Sequence, residues 1–493
     1  NNPIDNFVAS KLEKNHLSPS PEADKELLLR RVTFDLTGLP PTLEEIKAFM
    51  ADDSENAYEK QVDRLLASPR YGEKMAMDWM DVARYADTHG YTVDRYRDMS
   101  PWRDWVIKAF NENMPYDQFI VWQMAGDLLP NPTKEQLLAT AFNRIHPQNM
   151  EGGIIPEEFR VEYVLDRVNT AGQAFMAMTV GCAKCHDHKY DPISQKNYYE
   201  MSAFFNNVNE SGQISWDNAM PVPTMLYTTD KQDEIINFLN TQVAEKEGDA
   251  KAIAEQEKRA FDSWIATGKY KNIGKAKYPQ NLMAHYEFEN AALKNSVNPA
   301  NKGEMKQTGS SGEKPKFTEG FHGNGLLLGG DAWFDTNGVG HFRKSEPFSV
   351  SIRVKLPGDI ENGVIFHKGD GAVLYNFKGF HLAVENNRLQ LMMAHTAPDN
   401  AIIEYTKGDI PRDKWLNLVL TYDGSGKAVG FKIYQNGQEL VTDVQIDNLY
   451  KDIDFHRKNE PGIQVGARMR GKGIGGAVVD ALKIIDRELN PLD

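Results

Sequence analysis

The chain has 493 residues, enough for about three domains at the usual length of roughly 150 residues each. Hydrophobic residues make up 41% of it and aromatic residues 10%, which supports sizeable cores and argues against general disorder. The formal net charge of −14 argues against a general nucleic-acid binder, because such proteins carry a basic footprint. No apolar run approaches the roughly 18 residues of a membrane-spanning helix. The first residue is Asn1 rather than Met, which indicates a mature or trimmed chain.

Residues 1–210 show the apolar spacing of helices. In residues 23–36 leucines and a valine recur at helical intervals, and Gly38 with Pro40 and Pro41 ends that helix. Thr42 and Glu45 form a capping box that begins the next one. Further helices are predicted at 5–12, 57–68 and 71–85, from 101 onward, and near 116–128, 133–145, 156–178 and 196–207. No strand pattern is evident before residue 210, so the sequence predicts an all-α domain over 1–210.

Residues 211–280 form a linker and spacer in this interpretation. The charged run 231–266 has thin apolar spacing, and Gly248 interrupts it. The pattern predicts a helical hairpin or a long spacer packed on one face.

Residues 281–493 change to an alternation of period two with Gly- and Asn-rich turns. Asn436-Gly437 is a strong hairpin turn. About ten strands are predicted, which fits an antiparallel β-sandwich. They lie at 285–288, 325–334, 348–354, 364–367, 380–384, 388–393, 415–422, 431–434, 463–466 and 477–485. The predicted fold class is therefore multidomain, α then β.

The chain has only two cysteines, and both lie in the stretch Cys182-Ala183-Lys184-Cys185-His186. Two thiols at this spacing followed by histidine are the attachment signature of a c-type haem. Each thiol adds to a haem vinyl group, and His186 becomes the proximal iron ligand. Haem c attachment takes place outside the bacterial cytoplasmic membrane, which predicts a periplasmic or cell-surface location.

Three other interpretations of the motif stay open. It could be a redox dithiol, although no alternating βα pattern surrounds it. It could bind zinc through Cys182, Cys185, His186 and His188, although the tight spacing makes such a site awkward. It could also be a surface disulfide.

A haem would need further residues from the same domain. His146 is the first candidate for the distal ligand and His89 the second, with Met150, Met176, Met178 and Met201 as methionine alternatives. Methionine also commonly fills helical cores. Arg144 is a candidate to pair a haem propionate, as are Arg84, Arg160 and Arg167, although surface salt bridges are the ordinary role of such arginines. His188 could reach a propionate or a second metal.

The sandwich carries weaker candidates. Asp331 and Asp480 could bind calcium, which takes oxygen ligands, but neither sits in a diagnostic series of ligands. Trp333, Phe334, His381 and Tyr405 could stack on sugars or belong to the core. No pair of carboxylates with a glycoside-hydrolase signature is evident, which favours binding over hydrolysis.

Several blocks of the helical domain closely resemble the cytochrome-C-like proteins of planctomycetes, whose helical domain is named for its presumed haem motif. The matching blocks are 2–5, 34–41, 84–87, 105–107, 114–117, 125–130, 151–153, 166–168 and 182–192. Residues 282–489 more weakly resemble laminin-G/concanavalin-like jelly-roll sandwiches, on 348–350, 415–423, 436–437 and 475–489. In such proteins a second conserved domain often follows the sandwich and a haem domain can precede the helices. Neither is recognisable here, which suggests a fragment or a processed product.

The leading expectation is an extracytoplasmic c-type haem protein in electron transfer or redox chemistry, with a redox partner protein. Its sandwich would bind a polysaccharide or another surface partner. It could be one module of a haem-dependent oxidoreductase. One alternative is a metal-dependent enzyme that uses the Cys/His motif to bind zinc or iron directly. Another is a non-enzymatic surface-binding or scaffold protein.

Overall fold

The structure is a computed structural model that describes residues 2–216, 220–268, 280–307, 314–369, 376–456, 460–466 and 473–490. The chain divides into two compact units. The first consists of Asn1–His89, Arg95–Pro147 and Leu165–Ser202, and the second of Gly90–Asp94, Gln148–Val164 and Ala203–Asp493. No helix in the described part is both long enough and apolar enough to cross a membrane.

The predicted helices are present, and no strand forms in the described residues before 217. The helices are α1 (Pro3–Lys14), α2 (Lys25–Thr37), α3 (Leu43–Ala51), α4 (Ala57–Leu66), α5 (Pro69–Val82), α6 (Ser100–Asn111), α7 (Tyr116–Ala125), α8 (Lys134–Ala139), α9 (Pro156–Met176) and α10 (Gln195–Ala203). The capping box at α3 forms as predicted. The Glu45 N–H donates to Thr42 Oγ1 at 3.2 Å, and the Thr42 N–H donates to Glu45 Oε2 at 2.7 Å.

An aromatic core holds the first unit together. Trp102 and Phe142 are almost fully buried, and Trp105 stacks on Phe119 with ring centroids 5.6 Å apart. The Trp102 indole N–H donates to the Ala139 carbonyl at 3.1 Å, so the buried ring leaves no orphan donor.

The spacer is one helix, α11 (Asp230–Ala266), of 37 residues with no buried side chain. The hairpin alternative is therefore wrong, and Gly248 lies within the helix. A single glycine costs a helix only about 1 kcal/mol relative to alanine. The surrounding Ala, Glu, Lys and Gln residues are good helix formers, and a capping box between Thr229 and Gln232 fixes the start.

The C-terminal region is a sandwich of two antiparallel sheets, as predicted. Its strands are β1 (Leu282–Tyr286), β2 (Glu304–Gln307), β3 (Lys316–Glu319), β4 (Asn324–Leu327), β5 (Ala332–Asp335), β6 (Phe348–Lys355), β7 (Gly363–Lys368), β8 (Gly379–Glu385), β9 (Arg388–Thr396), β10 (Asn400–Thr406), β11 (Trp415–Tyr422), β12 (Phe431–Gln435), β13 (Gln438–Glu439), β14 (Thr442–Asp447), β15 (Ile463–Gly466) and β16 (Val478–Ile485). The first sheet has the order β13-β12-β11-β6-β16-β4-β3, with β1 also paired to β16. The second has the order β14-β10-β9-β8-β7-β15-β5-β2.

Along each strand, alternate side chains point into the core between the two sheets. In β6, Phe348, Val350 and Ile352 are fully buried, whereas Ser351 and Arg353 are only partly buried and lie on the opposite face of the sheet. The strand predicted at 325–334 is in fact two strands, β4 and β5, in different sheets. Gly330, with φ 49°, adopts a left-handed conformation between them, which ends the extended run.

Candidate functional site

The Cys/His motif lies on the surface of the first unit. Cys182 belongs to a short 3₁₀ helix, Val180–Lys184, and Cys185 follows that helix directly. Both thiols are free and exposed. The Cys185 N–H donates to the Cys182 carbonyl at 3.4 Å, so this turn holds the backbones of the two cysteines close together in space.

The two histidines of the motif differ in what they bind. His186 is exposed, and its Nδ1 lies 2.7 Å from the Asp187 carbonyl, which places the proton on Nδ1 and leaves Nε2 able to coordinate a metal. His188 is nearly buried, and its Nδ1 accepts the Asp191 N–H at 2.9 Å. His188 therefore stabilises the turn that follows the motif, which gives it a structural role.

His146 does not present a ring nitrogen to a ligand. It is fully buried, with Nδ1 3.0 Å from the Pro147 carbonyl and Nε2 2.7 Å from Nη2 of Arg167. Because an Arg N–H can only donate, Nε2 is the acceptor and Nδ1 carries the proton. Both ring nitrogens of His146 thus have protein partners, and its ligation of haem iron stays a prediction.

The arginines predicted to pair propionates also have protein partners. Arg84 forms an ion pair with Asp166. Arg167 is buried and donates from Nε to the Asn143 carbonyl at 2.6 Å. The carbonyl of Arg144, which is half-buried, accepts a hydrogen bond from Arg97 at 3.3 Å. For Arg144 the proposed contact with a propionate stays a prediction.

A polar groove runs over the outer face of the first sheet. Register places His285 of β1, Lys483 of β16 and Ser351 of β6 in one row, and Arg353 opposite Asn417 of β11 in the next. Two adjoining cavities of about 220 Å³ and 230 Å³ share three of these side chains, Ser351, Asn417 and Lys483. We call this surface the outer groove; its further lining includes Glu287, Glu289, His322, Tyr434 and Asp480.

An aromatic ring stands beside the outer groove. Phe321 is 46% exposed, and the guanidinium of Arg353 lies 4.2 Å from its ring centroid. Trp415 contacts Phe321 edge-on at 6.0 Å. Burial and the neighbouring Arg353 lower the pKa of Lys483, because two cations share the groove. Strand alternation predicts that Ser351 and Arg353 share a face, but Phe321 lies in a loop and carried no sequence signal.

The two aspartates predicted to bind calcium lie in different places in the sandwich, one in a strand and one in a loop. Asp480 belongs to β16 in the first sheet and accepts the His322 N–H at 2.8 Å. Asp331 precedes β5 in the second. Among the described residues, the set of three potential metal ligands is His341, Asp454 and Glu460. None of Cys182, Cys185, His186, His188, Asp331 and Asp480 belongs to it.

Two aromatic side chains predicted to stack on sugars belong to the core or its margin instead. Phe334 is fully buried and Trp333 is 7% exposed. His381 is also buried, and its Nε2 lies 2.7 Å from Gln390 Oε1. Phe334 packs in the core between the sheets, whereas Trp333, the preceding residue of β5, lies on the other face of that sheet.

These features define the class of protein, a helical domain followed by a concanavalin-like β-sandwich. Residues 3–210 match the family described as "Protein of unknown function (DUF1549)". Residues 328–493 match the "Concanavalin A-like lectin/glucanases superfamily". The chain thus combines an N-terminal domain of the first kind with a C-terminal concanavalin-like, laminin-G-type domain. No curated protein matches the chain.

Several solved structures can be superposed on 43% of the chain. Domain 4 of AbnA, a GH43 extracellular arabinanase from Geobacillus stearothermophilus in complex with arabinotriose, is 20% identical with a TM-score of 0.29, over 95% of its length. The binding domain of Paraclostridial Mosquitocidal Protein 1 is 16% identical with a TM-score of 0.33, and the chain spans 50% of it. The receptor binding domain of botulinum neurotoxin D is 15% identical with a TM-score of 0.29, and the chain spans 51% of it. The sandwich fold rests on the strand order and on the family match.

Proposed function

We propose that the sandwich binds a carbohydrate in the outer groove. The observation that carries this proposal is the exposed ring of Phe321 at the edge of a cavity lined by Arg353, Asn417 and Asp480. A sugar ring has an apolar C–H face, which packs on an aromatic ring, and hydroxyl groups that both donate and accept hydrogen bonds. The groove offers both kinds of contact.

The size and charge of the outer groove narrow the ligand. Each cavity, of about 220 Å³ and 230 Å³, is smaller than the roughly 300–1,000 Å³ of pockets for drug-sized ligands. Each therefore suits one sugar unit, and the two together suit a short stretch of polysaccharide. Arg353 and Lys483 supply hydrogen-bond donors, and the carboxylates of Glu287, Glu289 and Asp480 supply acceptors, which suits the hydroxyl groups of a sugar.

We expect Phe321→Ala to weaken binding of the best oligosaccharide about tenfold, because it removes the stacking contact. Arg353→Ala should weaken it by a similar factor, because it removes hydrogen-bond donors to the sugar hydroxyl groups. An oligosaccharide array that spans neutral and uronic-acid sugars identifies the ligand, and isothermal titration of the full chain measures the affinity.

Phe317→Ala is the matched control for this experiment. Phe317 lies in β3 of the same sheet and is 38% exposed, but it does not line the groove. If Phe321→Ala and Phe317→Ala change the affinity equally, or if no oligosaccharide binds the chain, the proposal is wrong.

A second function is favoured by the Cys/His motif: covalent attachment of haem c at Cys182 and Cys185. Both thiols are exposed. The Nδ1–H of His186 donates to the Asp187 carbonyl, so the other ring nitrogen, Nε2, is the one that can coordinate iron. A haem would supply one-electron redox chemistry. In this proposal Cys182 and Cys185 would hold the haem covalently, and His186 would be the proximal ligand of its iron. The protein would then work outside the cytoplasm with a redox partner, as an electron carrier or as one module of an oxidoreductase.

The haem proposal predicts a mass gain of one haem and a Soret absorption band when the full chain is matured by a cytochrome-c maturation system. Cys182→Ala/Cys185→Ala should abolish both, whereas His186→Ala should retain the thioether-linked mass and change the spectrum. His188→Ala is the control, because His188 serves the adjacent turn. A bound zinc or iron ion with no porphyrin that is lost in the Cys182→Ala/Cys185→Ala variant would instead favour the metal-dependent alternative.

A further inference from the structure

Two connections of the sandwich, β5–β6 and β14–β15, bring a histidine and two carboxylates together outside the outer groove. His341 follows β5, Asp454 follows β14, and Glu460 precedes β15. His341 Nε2 lies 3.9 Å from Asp454 Oδ1 and 3.9 Å from Glu460 Oε2. The three potential donor atoms all lie within 4.8 Å of one another. We call this set the His341 cluster.

The polar atoms of the His341 cluster are shielded from water. The side chain of Asp454 is 3% exposed and that of Glu460 is 11% exposed. His341 Nε2 is buried and has no hydrogen-bond partner among the described residues. A buried imidazole nitrogen without a partner is costly, and its position beside two carboxylates is where a cation would be stabilised.

We propose that the His341 cluster binds a divalent transition-metal cation of the zinc type. Imidazole nitrogen suits zinc and its neighbours in the transition series, whereas calcium takes oxygen ligands. Zinc bonds of about 2.1 Å in a tetrahedral site separate the donor atoms by about 3.4 Å. The observed separations of 3.9 Å exceed that value by an amount that small side-chain rotations close. Because His341 comes from the β5–β6 connection and both carboxylates come from the β14–β15 connection, the ion would tie these two loops together.

Among the described residues, Arg343, Lys368 and the imidazole of His456 lie within ion-pair distance of the carboxylates, and the first two make the proposal testable in both directions. Arg343 Nε lies 3.1 Å from Asp454 Oδ2, the oxygen that does not face His341, so it can stay when a metal binds. Lys368 Nζ lies 3.5 Å from Glu460 Oε2, the oxygen that does face His341. Both positive charges oppose a metal ion through Coulomb repulsion. Removing the exposed one, Arg343, should therefore strengthen binding.

The experiment titrates the full-length Cys182→Ala/Cys185→Ala chain with Zn²⁺, because the exposed thiols would otherwise bind the metal themselves. Calorimetry gives the affinity and native mass spectrometry the stoichiometry. We expect one zinc ion per chain, at least tenfold weaker binding after His341→Ala, and several-fold tighter binding after Arg343→Gln. His16→Ala, at an exposed histidine of the other unit, should leave the affinity unchanged. Zinc should also raise the unfolding temperature of the parent chain but not that of the His341→Ala variant.

Absence of stoichiometric zinc, equal affinities in His341→Ala and His16→Ala, or weaker binding in Arg343→Gln would each overturn the proposal. The readouts do not involve carbohydrate or haem. Failure of the metal site is therefore distinguishable from failure of either proposed function.

Discussion

Replacing Arg167 with alanine is expected to lower the free energy of unfolding of the helical unit by about 3 kcal/mol. Arg167 is buried in α9 and donates hydrogen bonds to the Asn143 carbonyl and to His146 Nε2. Each acceptor left unsatisfied in the interior costs about 1–3 kcal/mol, and the emptied volume adds a cavity term. Hydrogen–deuterium exchange of peptides from α6 and from residues 165–176 of α9, followed by mass spectrometry, localises the loss to the first unit.

Arg160→Ala provides the control for Arg167→Ala within the same helix. Arg160 pairs with the exposed Glu157 one turn away and also donates from Nη1 to Asn206 Oδ1 at 2.9 Å; solvent-accessible contacts of this kind contribute about 0–1 kcal/mol. Arg167→Lys should fall between the two, because lysine keeps the charge but lacks the planar guanidinium geometry. Equal destabilisation by Arg160→Ala and Arg167→Ala would show that the buried contacts with His146 are not important for stability.

His146 also shows what the sequence could not determine. The spacing of cysteines and histidine identifies a candidate motif, because local chemistry sets the residues that a haem attachment needs. The partners of His146 come from elsewhere in the chain, and Arg167 lies 21 positions away. No local pattern predicts that the Arg167 guanidinium donates to His146 Nε2. Residue type and the position of His146 shortly before the family-like block 151–153 are the signals that rank it above His89 and the methionines.

The sequence predicts the fold better than the site, because secondary structure depends on neighbouring residues whereas the site depends on distant ones. Apolar periodicity and caps act within a few residues, so the helices to α10 and most strands of the sandwich were predicted. The glycines in 325–334 were counted as part of one strand, whereas the turn at Gly330 sends β4 and β5 to different sheets. The outer groove joins β1, β6, β11 and β16, which only the register of the completed sheet brings into adjacent rows.

The second large effect is a loss of sandwich stability as the pH rises, caused by Glu404 in β10. Its side chain is 2% exposed, and Oε1 has no hydrogen-bond partner among the described residues, while Oε2 accepts from the Thr442 hydroxyl at 2.6 Å. Burial, helped by the nearby charge of Asp447, raises the pKa of Glu404 to about 7 from an ordinary value of 4.5. The folded state therefore binds this proton more tightly than the unfolded state does.

Because the unfolded carboxyl releases its proton near pH 4.5 and the folded one near pH 7, stability falls as the pH rises between those values. After allowance for solvent screening, we expect this residue to make the sandwich about 2 kcal/mol less stable at pH 8 than at pH 5. Glu404→Gln removes the titration, so the difference in unfolding free energy between the two pH values should shrink by that amount. Urea unfolding at both pH values measures it, with Glu361→Gln at an exposed loop position as the control. An unchanged pH dependence in Glu404→Gln would mean that the buried carboxyl is ionised at no cost in the folded chain.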